Sequence, residues 1–186
     1  MPRPLAALAS LFVLGATTSA SARCPNEKPD EPACEPIASA LMPSAEGTAY
    51  FPRGDAFLGG GFDFALASWS NNNDAFGPSQ GTLRLGASYM VGPSDRRMVF
   101  YRFGAIVSFE GNASRRFLIP YFGGAVGALW ETDLGNRALS EGALGVYVVY
   151  TRRFVLDAQG GVVLPFTAVE ALLGAKTQLT ASFALW

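Results

Sequence analysis

The stretch "KTQLTASFALW", Lys176 to Trp186, is the last of the sequence and the one from which its fold is best predicted. Its residues alternate between two kinds of side chain. One parity carries Ala175, Thr177, Leu179, Ala181, Phe183 and Leu185, and the other carries Lys176, Gln178, Thr180 and Ser182. A period of two is typical of a β-strand with one apolar and one polar face. Because most chain ends are polar and poorly ordered, we expect this apolar end to be built into a sheet.

The same alternation recurs from about Tyr50 to the end of the chain. It predicts seven strands and, at Gly47–Arg53, a candidate eighth. The seven are Asp55–Ser68, Gln80–Gly92, Arg97–Glu110, Phe117–Glu131, Glu141–Thr151, Arg153–Phe166 and the terminal strand. Short links rich in turn residues separate them, which predicts an antiparallel meander. Tilted strands that cross a bilayer need about 9–11 residues, whereas strands of soluble proteins average about five or six, so these lengths favour a membrane barrel.

Three regions follow from the composition along the chain. Residues 1–22 have a positive start, an apolar core and the small-residue site Ala20-Ser21-Ala22, which is the pattern of a cleaved signal peptide. Residues 23–46 are rich in proline and acid and are expected to form a leader, and residues 47–186 the barrel domain. Cys24 and Cys34, the only cysteines, are expected to pair as a disulfide after export. The alternative, a metal site, lacks the further ligands that two thiols need.

The overall composition is apolar but lacks the signature of membrane helices. Hydrophobic residues make up 49% and charged residues 16% of the sequence, against about 25% charged residues in ordinary soluble domains. After the signal peptide, no apolar run reaches the roughly 18 to 20 residues of a spanning helix. The formal net charge of −1 gives no indication of a nucleic-acid partner. Membrane-spanning strands account for this combination.

The strand pattern, the signal peptide and the terminal aromatic residue together resemble the small outer-membrane β-barrels of Gram-negative bacteria. The resemblance is to the eight-stranded type represented by the membrane domain of outer-membrane protein A. It implies an all-β, antiparallel, up-and-down transmembrane barrel, outer-membrane lipids and the barrel-assembly machinery as partners, and a monomer. In that family a C-terminal aromatic residue is the assembly signal, which here implies Trp186 together with Phe183. Unlike the family pattern, this chain has Trp186 on the opposite parity from Phe183 and its apolar neighbours.

In such a barrel the polar alternates point into the lumen. These are Asp63, Arg84, Arg102, Asp157 and Lys176. The lumen of an eight-stranded barrel is only wide enough for side chains to fill it, and unpaired buried charge is unfavourable. The sequence therefore predicts an internal ion-pair network that plugs the barrel. The alternative is that some of these residues lie at hydrated rims, where ion pairs contribute little.

The sequence contains no histidine, which excludes Ser-His triads and histidine-ligated metal sites. From this we predict a non-catalytic protein without cofactor or metal, with a structural or surface-interaction role. Two alternatives stay open. One is a narrow, porin-like pore for small or hydrophobic solutes. The other is a soluble periplasmic lipocalin-like binder, in which the apolar face would point inward to a ligand.

Overall fold

The structure is a computed structural model that describes residues 42–71, 79–108, 117–151 and 154–183. The predicted signal peptide, Cys24, Cys34 and Trp186 lie outside these residues. The strands are β1 (Met42–Pro52), β2 (Phe57–Asn71), β3 (Ser79–Val91), β4 (Arg97–Ser108), β5 (Phe117–Glu131), β6 (Gly135–Tyr150), β7 (Phe154–Pro165) and β8 (Gly174–Phe183). A 3-10 turn at Pro93–Asp95 links β3 to β4, and the short helix α1 (Val169–Leu172) lies between β7 and β8.

The eight strands form one closed barrel in sequence order. Each strand pairs antiparallel with the next, and β1 closes the barrel by pairing with β8, for example Glu46 with Thr180. The strands contain 10 to 16 residues, enough for each to cross a bilayer when tilted. The predicted antiparallel up-and-down barrel of eight strands is thus confirmed. No helix among the described residues is long and apolar enough to span a membrane.

The first strand begins earlier than the sequence predicts. It starts at Met42, so five residues that we assigned to the leader, including Glu46, belong to the barrel wall. Proline and acidic residues in this stretch led to that boundary. Here Pro43 lies at the start of the strand, a position where the missing N–H of proline is tolerated. The carboxylate of Glu46 is directed into the lumen, where it has charged partners.

The two faces of the barrel wall differ in polarity, because the buried charged side chains all point inward. Large apolar side chains are exposed on the outside of every strand, among them Phe62, Tyr89, Phe103, Val126, Leu144, Val162 and Leu179. The inward parity carries the buried polar and charged side chains, among them Glu46, Asp63, Arg102, Asp157 and Lys176. An apolar exterior around a polar interior is the arrangement of a transmembrane barrel. It contradicts the lipocalin-like alternative, which needs an apolar interior and a wet exterior.

The lumen is layered along its axis. We call the end that holds the start of β1 and the end of β8 the terminal end, and the opposite end the turn end. A buried apolar cluster fills the turn end: Tyr50, Phe57, Met90, Met98, Phe100, Leu129, Leu139, Val163 and Leu172. A second cluster fills the terminal end: Met42, Ile106, Ile119, Tyr121, Tyr147 and Val155. The charged side chains lie between these two clusters.

The links between strands have an uneven distribution. The stretches 72–78 and 109–116 connect strands at the terminal end, while the turn end has the short connections after β1, β3 and β5. The eight strands close the barrel in sequence order, so both of these stretches join neighbouring strands.

Candidate functional site

The candidate site is a layer of charged side chains in the middle of the barrel, which we call the lumenal network. Seven of the eight strands each contribute one charged residue, and β5 contributes a tyrosine. The members are Glu46, Asp63, Arg84, Arg102, Glu141, Asp157, Lys176 and Tyr121. All lie on the inward parity of their strands, because successive side chains of a strand point to opposite faces. The side chain of Arg84 is 12% exposed, and the others are buried.

Asp63 joins the two arginines of the network. Its Oδ1 accepts a hydrogen bond of 2.9 Å from Nε of Arg84, and its Oδ2 accepts one of 2.9 Å from Nη2 of Arg102. Arg102 also forms an ion pair with Glu46. Charge-assisted hydrogen bonds of this kind are the stronger ones in proteins. Three strands of the barrel wall are therefore cross-linked through one carboxylate and its two partners.

Lys176 and Glu141 form a second pair on the other side of the lumen. The Nζ of Lys176 lies 2.5 Å from Oε2 of Glu141 and 5.7 Å from the ring centroid of Phe100. The amide of Gln178 donates to Glu46 at 2.8 Å, and its oxygen accepts from Gln159 at 2.8 Å. These amides connect the second pair to the arginine side of the network.

Asp157 is held mainly by a tyrosine. The hydroxyl of Tyr121 donates to Oδ1 of Asp157 at 2.7 Å. The guanidinium of Arg84 is 3.7 Å from Oδ2 of Asp157, which is too long for a hydrogen bond. The ring of Tyr121 packs against that of Tyr147 with centroids 4.7 Å apart. Asp157 thus shares the cation whose closer partner is Asp63.

The structure brings the five residues predicted from the sequence into one lumen. Asp63 contacts Arg84 and Arg102, and Arg84 also approaches Asp157. The partner of Lys176 is Glu141, which we did not assign to the network. The sequence indicates that the predicted set lacks an acid, because three cations set against two anions leave one cation without a partner. Glu141 lies on the polar parity of its strand, and Glu46 was missed because its segment was assigned to the leader.

Of the two predicted assembly residues, the structure describes Phe183, which lies away from this site. Phe183 is the last residue of β8 and is exposed on the outer wall. Its ring packs against that of Phe154 on β7, with centroids 5.1 Å apart. Trp186 and the two cysteines are outside the described residues, so the structure gives no geometry for them.

Two small cavities border the network. One of about 40 Å³ is lined by Asp63, Arg84, Arg102, Glu141 and Gln159 together with small residues of β4, β5 and β6. The other, of about 30 Å³, lies towards the terminal end beside Asp157, Ser44, Ser182 and Tyr147. Cavities of this size hold a water molecule but are far below the roughly 300 Å³ of a pocket for an organic ligand. No group of three or more acidic, histidine or cysteine side chains among the described residues is arranged to hold a metal ion.

The turn end of the lumen is sealed above the network. The hydroxyl of Tyr50 donates to the backbone carbonyl of Leu172, which fixes α1 over the barrel mouth. At the rim, Arg96 bonds to Glu131 and to Asp55, each at 2.8 Å. The hydrogen bond to Glu131 is the main cause that raises the pKa of Arg96, so this guanidinium stays charged. The apolar cluster and this rim cover the turn end of the lumenal network.

Comparisons with known proteins give a likeness in structure. No protein-family model matches the sequence, and no curated protein matches it. A structure titled "Crystal structure of the outer membrane enzyme PagL" is similar at 9% sequence identity and a TM-score of 0.46. The match covers 76% of this chain and 99% of that chain.

This comparison corrects one prediction. We predicted a non-catalytic protein with a structural or surface-interaction role, and the similar structure is described as an enzyme. The absence of histidine excludes particular catalytic groups, but it does not show that a small barrel lacks catalytic activity. At 9% identity and this TM-score, the likeness carries neither the activity nor the site of that enzyme to this chain. What is established is the architecture: this chain is a closed antiparallel barrel of eight strands.

Proposed function

We propose that this protein acts in the outer membrane through its lipid-facing wall, in contact with the lipids of that membrane, while its lumen is sealed. The observation that carries the proposal is the order of layers inside the barrel. A route for solutes would have to pass the apolar cluster at the turn end, then the lumenal network, then the second cluster. A lumen of eight strands has room only for side chains.

The apolar cluster is the first barrier. Tyr50, Phe57, Met98, Leu139 and Leu172 are fully buried in it. Close packing of this kind leaves no voids larger than a water molecule. A hydrated ion would lose its water shell here without gaining polar partners, which is strongly unfavourable.

The lumenal network is the second barrier. Asp63, Arg84, Arg102, Asp157 and Lys176 link seven strands of the wall when their partners Glu46 and Glu141 are included. A permeating ion would have to break these pairs. Removing one partner of a buried ion pair is unfavourable because an uncompensated charge remains.

The outer wall supports the lipid contact. Its exposed side chains are large and apolar on all the strands that form the barrel, for example Leu58, Tyr101, Phe122 and Leu164. Soluble monomers rarely expose apolar patches above a few hundred Å². Burial of this wall in the acyl region of a bilayer is the arrangement in which it is stable.

Export and assembly complete the proposal. Residues 1–22 serve as a cleaved signal peptide, and the exported chain pairs Cys24 with Cys34. Phe183 and Trp186 serve as the signal for the barrel-assembly machinery, by resemblance to the family. The protein works as a monomer.

Conductance tests the proposal against the pore alternative. The purified, refolded protein is added to planar lipid bilayers in roughly 1 M salt, at which surface electrostatics are screened. The current across the bilayer is then recorded. We expect no discrete current steps above those of the boiled, unfolded protein used as a control. Regular current steps from the folded protein would show a conducting lumen and refute the sealed-barrel proposal.

A further inference from the structure

The charges of the lumenal network do not balance. Between the two apolar clusters, the described residues include four carboxylic acids, Glu46, Asp63, Glu141 and Asp157, but three cations, Arg84, Arg102 and Lys176. Uncompensated charge in a low-dielectric interior is strongly unfavourable. The lumen therefore has to gain one positive charge, and a proton on one carboxylic acid supplies it.

The pairing geometry identifies the acid concerned. Lys176 neutralises Glu141 at 2.5 Å, and Arg102 pairs with Glu46. Nε of Arg84 bonds to Asp63 at 2.9 Å, while its other contact, with Oδ2 of Asp157, is 3.7 Å long. Once each cation is assigned to its nearest carboxylate, Asp157 is the acid that remains.

The groups around Asp157 agree with this assignment. The charged groups that act on it electrostatically are Arg84 from β3, Asp63 from β2 and Glu46 from β1. Tyr121 from β5 donates a hydrogen bond to it, and Tyr147 is its pairing partner on β6. On β8 its direct neighbour is the neutral Thr180, and the charged residue of that strand, Lys176, is engaged by Glu141. On β4, Arg102 is engaged by Glu46 and Asp63. Two acids and two neutral phenols thus surround Asp157, with one shared cation.

We propose that Asp157 is protonated in the folded barrel at neutral pH. Tyr121 donates a hydrogen bond to its Oδ1 at 2.7 Å, so the acid keeps a polar partner when it is neutral. Asp157 lines the cavity of about 30 Å³ beside the hydroxyls of Ser44 and Ser182. A neutral Asp157 lets Arg84 serve Asp63 alone, so the network becomes three complete ion pairs and one neutral acid.

The proposal makes the barrel a pH-sensitive structure. An aspartate in the unfolded chain loses its proton near pH 4, so above that pH the folded state binds one proton more than the unfolded state. Stability therefore falls as the pH rises until Asp157 ionises in the folded barrel. Ionisation places a second carboxylate near Asp63, so that the two acids compete for Arg84.

Infrared spectroscopy of the refolded full chain in phosphatidylcholine vesicles tests the proposal directly. At pH 7 we expect the carbonyl stretch of one protonated carboxylic acid, which shifts in D₂O and when the aspartates are labelled with ¹³C at the carboxyl carbon. The band is lost in Asp157→Asn. It persists in the matched control Asp133→Asn, which removes an exposed aspartate at the turn end.

Stability provides the second readout. The urea midpoint of the wild type is expected to decrease as the pH rises from about 6 to about 9, because the folded state binds one proton more than the unfolded state. The midpoint of Asp157→Asn is expected not to depend on pH in this way and to be at least as high as that of the wild type at about pH 9. The absence of an aspartate acid band from the wild type at pH 7 would refute the proposal even if Asp157→Asn failed to fold. A midpoint of Asp157→Asn that is lower than the wild type at every pH would also refute it, because Asp157 would then contribute as an ionised partner of Arg84.

Discussion

At the scale of single residues, the pair of Lys176 and Glu141 measures how strongly the lumen depends on charge balance. The two side chains are buried and 2.5 Å apart. Replacing Lys176 by Met removes one of three cations from a lumen that holds four acids. We expect a loss of about 3–5 kcal/mol in the free energy of unfolding, because a buried carboxylate is left without its partner.

Removing the acidic partner, Glu141, is expected to have a smaller effect on stability than removing Lys176. Glu141→Gln removes an acid from a lumen that has one acid too many, so the freed Lys176 has other carboxylates to compensate it. The double variant recovers part of the loss of Lys176→Met. Urea unfolding of the refolded barrel measures all three variants. If the two single variants were equally destabilised, the charge imbalance would have no energetic consequence.

The sequence predicted which residues point inward more reliably than which residues pair. Parity alone assigns Asp63, Arg102 and Asp157 to the lumen, because the side-chain period of a strand is two. Partners depend on register and barrel closure, which bring Glu46 of β1 within reach of Arg102 of β4. These two residues are far apart in the sequence, and no local pattern in either strand encodes their contact.

At the scale of elements, the ring of Tyr121 on β5 packs directly across Gly145 on β6. A Cβ at Gly145 would lie 2.2 Å from Cζ of the tyrosine ring. We expect Gly145→Ala to displace the ring, break its hydrogen bond to Asp157 and reduce stability by about 1–3 kcal/mol, as overpacking does.

The matched control is Gly142→Ala on the same strand. A Cβ there meets nothing within 4 Å, because the residue is on the outer wall. This variant is expected to be neutral or slightly stabilising, since alanine has less backbone freedom to lose than glycine. Urea midpoints of the two variants provide the comparison. An equal loss in both would show that strand propensity, and not the tyrosine contact, determines the effect.

For strand β5, the sequence did not predict which face points into the lumen. Its sequence from Phe117 to Glu131 is rich in glycine and alanine, so its parity could not be assigned to either face. The structure places Ile119, Tyr121 and Leu129 inside. The assignment comes from pairing with β4 and β6, because small side chains give no preference for lumen or lipid.

At the scale of the whole molecule, the predicted fold class was correct because a barrel needs only a few features that sequence carries directly. Alternating strands of sufficient length and short links specify an antiparallel meander. Closure between β1 and β8 then removes the two free edges. The role of the barrel did not follow from these features, since an architecture shared by pores, enzymes and structural proteins does not distinguish them.

The polarity of the outer wall gives the last prediction, which concerns the membrane itself. Leu144 is 73% exposed near the middle of β6, and Asn136 is exposed near the start of that strand. In a bilayer, Leu144→Arg is expected to reduce stability by about 2–4 kcal/mol, whereas Asn136→Arg, close to the interface, costs about 0–1 kcal/mol. In a water-facing sheet both changes would be nearly neutral. The two variants are compared by urea titration of the barrel refolded in phosphatidylcholine vesicles. The folded fraction is measured by gel mobility before and after boiling. Equal midpoints would mean that this wall does not lie in lipid, whereas a loss confined to Leu144→Arg would locate the middle of β6 in the hydrocarbon region.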